Sequence, residues 1–192
     1  VMMELTVDDN KYKITSDNLF DAVTGKPNAT TLDDKGTYVP LEAGKNYVTS
    51  NKALVCTFYD ELVPLAAAKG VKLRCTAAVG GGIGWLSELE RTRRVQKINC
   101  VGGIMNGTCN YILDSMTTRG LTYADALAKA QELGYAEADP TTDVDGFDTW
   151  HKLTISANVA FGVSLNIRQI PVAGIRRIQA QDVASFKEHG LT

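Results

Sequence analysis

Residues 71–94 read VKLRCTAAVGGGIGWLSELERTRR, and the three parts of this stretch decide the fold class. VKLRCTAAV has the apolar character of a strand, GGGIG at residues 80–84 is a tight turn, and WLSELERTRR has the spacing of an amphipathic helix. A strand passed into a helix through bare backbone is a building unit of α/β chains, and the alternation leaves α+β open as well. The elements on either side keep the alternation. NYVTSNKALV, at residues 46–55, reads as a short strand followed by a polar turn at Ser50 and Asn51. TFYDELVPLAAAKG then reads as a helix stopped by Gly70. Beyond Arg94, QKINCVGGIM reads as another strand. NGTCNYILDSMTTRG is a helix starting at a polar cap, Asn106 or Thr108, with Tyr111, Ile112 and Met116 on one face.

LTYADALAKAQELG opens on a T-x-x-D capping pattern at Thr122 and Asp125 and ends at Gly134. Asp148 begins a further helix through Ala160, with Leu153 and Ala157 on its apolar face. The stretch SLNIRQIPVAGIRRI alternates as a strand would, and QDVASFKEHG is a last helix stopped by Gly190. The first 36 residues are rich in turn formers and break at Gly25, Lys26, Pro27 and Asn28.

Composition narrows the class of function. The 192 residues are 44% hydrophobic and 22% charged with a net charge of -2, the profile of a soluble globular chain. No basic run suggests nucleic acid as a partner, and no apolar run has the length of a spanning helix. Cys56, Cys75, Cys100 and Cys109 have no C-x-x-C spacing and only His151 and His189 to join them, so they read as reduced thiols of a cytoplasmic protein. The opening Val1-Met2-Met3 reads as a trimmed start.

Two stretches invite three functional readings. The glycines at 80, 81, 82 and 84 sit where a phosphate loop would, but Trp85 stands where the G-x-G-x-x-G fingerprint needs its last glycine. Gly80 and Gly81 therefore read as backbone that a ligand approaches closely rather than as a phosphate grip. GYAEADPTTDVDGFDTWHK, at residues 134–152, crowds Glu137, Asp139, Asp143, Asp145 and Asp148 ahead of Lys152. As a calcium loop it fails, because Gly146 at position six would put Thr141 at position one and Lys152 at position twelve. Asp148 and Lys152, four apart, share a helix face. As an exposed pair they are worth about 0.3–0.5 kcal/mol. In a polar pocket with Glu137 and Asp143, they would instead bind a cationic amino group while the lysine exchanges a proton with an oxygen. His151 points about 100° away around the helix and reads as a bystander.

At this point the chain resembles the homoserine dehydrogenase family, from about Leu41 to its end. The blocks LEAGKNYVTSNKALV, TAAVGGGIG, GGIMNGTCNYILDSM, AQELGYAEADPTTDVDGFDTWHKLTISANVAFG and GIRRIQAQDVASFKEHG follow the family's order. The resemblance implies an NAD(P)-dependent oxidoreductase of threonine and methionine biosynthesis, interconverting L-aspartate 4-semialdehyde and L-homoserine. It makes Lys152 the general acid/base, with Asp148 beside it and Lys52 as a second functional lysine. Glu137, Asp143, Thr108, Tyr135 and Gly107 become substrate-binding residues, and Asn51, Ser50, Gly80 and Gly81 lie toward NAD or NADP. A structural sodium ion would be held by the backbone carbonyls of Val79, Gly81 and Ile83, and the enzyme would be a homodimer.

The implied fold is an α/β chain whose substrate domain has a mixed sheet covered by helices. Residues 1–50 would be a partial or altered nucleotide-binding region, 51–178 the catalytic and dimerisation domain, and 179–192 a helix leading back to the nucleotide side. No G-x-G-x-x-G turn precedes Leu41, so both ends are expected to be cut or altered on the cofactor side. Gly84 stands where the family has proline, and Thr76 where many members have a glutamate that helps to hold the sodium ion. A chain unable to hold cofactor would be a substrate-binding or dimerisation module instead. A Schiff-base lyase is disfavoured, because the nearby carboxylates oppose a neutral lysine.

Overall fold

The computed structural model describes residues 2–7, 10–15, 41 and 44–190, the first two segments as backbone. The turn expected at Gly25 to Asn28 lies outside the described residues. The chain divides into two compact units, Val1–Arg91 and Thr92–Thr192.

In the first unit, β1 (Met2–Val7) and β2 (Asn10–Thr15) form an antiparallel hairpin in which Met2 faces Thr15 and Val7 faces Asn10. A separate parallel pair joins β3 (Tyr47–Val48) to β4 (Leu73–Arg74). Helices α1 (Lys52–Thr57) and α2 (Tyr59–Ala68) connect them, with Gly70 in the left-handed conformation (φ 65°) ending the second as the sequence predicts. Leu41, Tyr47, Leu62 and Ala66 make a core against which Leu54, Phe58, Leu65, Val71 and Leu73 pack. Burying a leucine as fully as Leu62 stabilises by about 1.5–3 kcal/mol.

Helix α3 (Trp85–Val95) follows the glycine turn and buries Leu86 and Leu89. The second unit is helical: α4 (Gly107–Arg119), α5 (Tyr123–Glu132), α6 (Thr141–Val144), α7 (Phe147–Phe161) and α8 (Ala180–Glu188). The capping pattern at Thr122 is real, since its hydroxyl accepts the Asp125 N–H at 3.2 Å and donates to the Asp125 carboxylate at 2.7 Å. Ile112 and Met116 of α4, Ala126 and Ala130 of α5, Val144 of α6 and Val183 of α8 share a core with Ala136.

The C-terminal half of α7 is buried on every side, from Thr154 to Ala160. Most of its polar side-chain atoms are satisfied locally, the buried Asn158 Nδ2 excepted. Thr154 and Ser156 donate to the carbonyls four residues back, at 2.8 and 2.7 Å, and the Asn158 side chain accepts the Leu165 N–H at 2.8 Å.

The α/β class stands, but among the described residues the strands form two separate pairs rather than one mixed sheet. QKINCVGGIM is not a strand: residues 96–106 run without a ladder, and Ile104 is 81% exposed. Alternating apolar residues make a strand only beside a hydrogen-bonding partner, and Gly102 and Gly103 weaken the preference further. Only Leu73–Arg74 of VKLRCTAAV is strand, followed by a 3-10 turn at Thr76–Ala78. The alternating tail at 164–178 is irregular with one 3-10 turn, Ile167–Gln169. Two of its backbone bonds go to a side chain and to the end of α6, Trp150 Nε1 donating to Ile170 O at 2.9 Å and Ile175 N to Val144 O at 2.8 Å. No helix among the described residues is long and apolar enough to cross a membrane.

Candidate active site

The acidic stretch folds into two helices rather than a loop, and this sorts its carboxylates. Pro140 and Thr141 open the short α6, which ends at Asp145; Gly146, at φ 87°, then reverses the chain into α7. The reversal turns Asp143 and Asp148 toward one point. Between them lies Asn106, the N-cap of α4, whose Nδ2 donates to Asp143 Oδ1 at 2.7 Å and to Asp148 Oδ2 at 2.9 Å. Its Oδ1 accepts the Cys109 N–H at 2.8 Å, so the amide is oriented by all three partners.

Lys152 completes the cluster. One helical turn after Asp148, its Nζ lies 2.7 Å from Asp148 Oδ2 and donates to Met105 O at 2.8 Å. The Asp148 side chain is only 6% exposed and that of Lys152 22%. This is therefore not the bland surface pair. A carboxylate so buried is held by an ammonium and an amide donor on the same oxygen.

The other residues expected here fall into a second group. Thr108 Oγ1 donates to Tyr135 O at 2.6 Å, and the Tyr135 ring lies 4.9 Å from that of Tyr111. Glu137 is exposed; its backbone carbonyl accepts Gln131 Nε2 at 3.0 Å. Gly107 begins α4 with open space on its Cα, and the first-turn N–H groups of Gly107 and Thr108 have no carbonyl partner within the helix. His151 stacks on Trp150 at 5.8 Å.

In the first unit, the Asn51 side chain caps α1 by accepting the Leu54 N–H at 3.0 Å, and Asn51 N donates to Thr49 Oγ1 at 3.1 Å. Exposed Ser50 and half-buried Lys52 flank it just past the end of β3. Beyond the end of the parallel partner β4, Val79 is buried and the 3-10 turn Gly81–Ile83 sits between Gly80 and Gly84, both left-handed at φ 75°. Two parallel strands thus carry these residues beyond their carboxyl ends, where open parallel sheets take their ligands. An added Cβ would meet nothing within 4 Å at Gly81, Gly82 or Gly84, so the backbone there is open to close approach.

The polar core also changes Cys109, whose Sγ donates to Asp143 O at 3.2 Å. Burial first, then the charges of Asp143 and Asp148, push its thiol from 9.0 up to about 11. Burial and Glu90 do the same for Cys75, against the opposing charge of Arg74. The stability that these shifts contribute is present below the ordinary thiol pKa and lost as pH rises through about 11. Iodoacetamide mapping at pH 8 is expected to label exposed Cys100 first and Cys75 and Cys109 slowly. The last two should gain close to tenfold in rate per pH unit; pH-independent labelling of Cys109 would contradict the assignment.

A family model described as homoserine dehydrogenase matches residues 85–192, more than half of the chain. The chain belongs to the homoserine dehydrogenase family. It is 46% identical over 143 residues to the homoserine dehydrogenase of Pseudomonas aeruginosa, covering 74% of this chain and 33% of that protein. Against that of Lactococcus lactis it is 46% identical over 161 residues, covering 83% and 38%. A crystal structure of a homoserine dehydrogenase from Thiobacillus denitrificans superposes with a TM-score of 0.76 at 40% identity, over 83% of this chain and 37% of that one. A hyperthermophilic archaeal homoserine dehydrogenase mutant in complex with NADPH gives 0.67 at 30% identity, over 76% and 44%.

The chain thus spans about a third of the length of the curated homoserine dehydrogenases it matches. Two residues of this cluster are not singled out by the sequence as site residues, Asn106 and Met105. Asn106 was legible as a helix cap, but that its other end binds two carboxylates depends on contacts across 37 and 42 residues.

Proposed function

We propose that this chain is the catalytic part of an NAD(P)-dependent homoserine dehydrogenase, interconverting L-aspartate 4-semialdehyde and L-homoserine in threonine and methionine biosynthesis. The observation that carries the reading is the buried Asp148 and Lys152 pair at 2.7 Å beside the start of α4. Lys152 presents a proton to the aldehyde oxygen on reduction and takes it back on oxidation; its charge also stabilises the developing alkoxide. Met105 O and Asp148 Oδ2 occupy two of the three ammonium N–H groups, leaving one for that oxygen.

Asp143 and Glu137 hold the substrate's amino group. The first-turn N–H groups of Gly107 and Thr108 favour its carboxylate, and Tyr135 walls the pocket. Bound nicotinamide supplies or accepts the hydride. Ser50, Asn51, Gly80 and Gly81 lie toward that cofactor in this reading, and Lys52 serves the reacting end of the substrate. The domain assignment keeps 51–178 as the catalytic and dimerisation region of a cytoplasmic homodimer. A sodium ion would rest on the carbonyls of Val79, Gly81 and Ile83 alone, since Thr76 supplies no carboxylate.

Calorimetry with L-homoserine, followed by nicotinamide reduction with NAD and NADP separately, tests the proposal on this 192-residue chain. Saturable homoserine binding and turnover are expected. Binding without turnover would assign the chain a substrate pocket alone, and absence of both would sink the proposal.

A further inference from the structure

We propose that Asn106 is a positioning residue, clamping Asp143 and Asp148 into one acceptor cluster and thereby setting the oxygen on which Lys152 rests. The inference rests on the functional reading above only where substrate is concerned. The two carboxylates come from different helices, α6 and α7, and nothing in either helix requires them to converge. The Gly146 reversal brings them near each other, and the two N–H groups of one amide then hold both, at 2.7 and 2.9 Å. The second of these bonds ends on Asp148 Oδ2, the oxygen that Lys152 Nζ also meets at 2.7 Å. Met105 O, one residue earlier, takes another N–H of the same lysine at 2.8 Å. Residues 105 and 106 therefore hold both sides of the ion pair, one through its carbonyl and the other through its side chain.

The chemistry of this position singles out asparagine. As an N-cap alone, serine or aspartate would serve equally, because capping needs only an oxygen that accepts the Cys109 N–H. Binding two carboxylates needs donors as well, and among the good caps only asparagine offers an acceptor and two N–H groups together. Asn106 is 7% exposed and Asp148 4%, so water does not readily replace those donors. The ionisable groups around the amide are Asp143 from α6, Asp148 and Lys152 from α7, and Cys109 from α4; Arg176 is held by Asp145.

The test separates capping from clamping. Asn106→Ser and Asn106→Asp both keep the cap, so capping alone requires the thermal midpoint to stay within about 2 °C of the parent at every pH. Clamping predicts a loss that grows with pH. In either variant the carboxylates lose the amide donor, and in Asn106→Asp they gain a like charge, a penalty felt only where they are ionised. Stability is then lost as pH climbs through the carboxylate range and that penalty sets in. Between pH 4.5 and pH 8 the midpoint of Asn106→Asp should fall by about 4 °C or more relative to the parent.

Equal losses at both pH values would overturn the clamp, as would no loss at all. In parallel, calorimetry should show homoserine affinity about tenfold or more weaker in Asn106→Ser. Unchanged affinity would refute the positioning role. If the parent itself binds no homoserine, the functional proposal fails, while the pH series still decides the clamp.

Discussion

Lys152→Ala is expected to slow nicotinamide-linked oxidation of homoserine by about 10²- to 10⁴-fold, the range of a lost general acid/base. The lysine is suited to the task by what it does not bind. Two of its N–H groups are committed, to Asp148 Oδ2 at 2.7 Å and Met105 O at 2.8 Å, and these fix the direction of the third. Alanine also takes the ammonium from a carboxylate with a 6% exposed side chain, so part of the loss comes from folding. Lys152→Arg separates the two effects. It keeps a cation beside Asp148 and so should melt close to the parent, yet its guanidinium does not exchange a proton near neutral pH. Turnover in Lys152→Arg within tenfold of the parent would remove proton transfer from this residue's role.

Gly174→Ala is expected to be strongly destabilising for a single added methyl. A Cβ at this glycine would lie 2.4 Å from Val144 O, 2.6 Å from Asp145 Cα and 3.0 Å from Asp145 C, all backbone atoms. A side chain could swing away; this backbone cannot, because Ile175 N is bonded to Val144 O at 2.8 Å and Arg176 grips Asp145 and Thr141. The facing strand of chain is equally tight, with a Cβ at Gly146 meeting Ala173 O at 2.7 Å. Separating the two segments should cost about 3 kcal/mol, at the upper end of overpacking, and lower the midpoint by about 6–12 °C. Homoserine binding should weaken with it, because the displaced segment carries Asp143. Gly120→Ala is the control: its φ is 67° but the space is open, so only about 1 kcal/mol of backbone strain is expected. Equal midpoints for the two variants would mean that the close approach is not tight.

The sequence is most informative where the physics is local. Helix limits depend on caps and stop residues a few positions apart, so Thr122 with Asp125, Asn106, Gly70, Gly120 and Gly134 place α2, α4 and α5 closely. The start of α7 differs by one residue, at Phe147 rather than Asp148, because Gly146 supplies the reversal. The pairing of Asp148 with Lys152 was legible for the same reason, as one helical turn sets the spacing. Strands were misread at 96–105 and 164–178 because alternation describes one face of a ladder and says nothing of whether a partner lies alongside. Trp150 and Val144 take the backbone bonds of the second segment, and neither is near it in sequence.

By itself, then, the sequence determined the α/β class, the longer helices and most of their caps, the family, and the spacing that pairs Asp148 with Lys152. Those properties follow from short-range spacing and ordered blocks of residues. Only the tertiary structure decided which of five crowded carboxylates meet. Asp143 and Asp148 share the Asn106 amide, Asp145 goes to Arg176, and Glu137 remains exposed. The reason is that a carboxylate's charge is set by its residue type, whereas its burial and its donors come from segments tens of residues away, brought in when apolar residues such as Ile112, Val144 and Val183 pack.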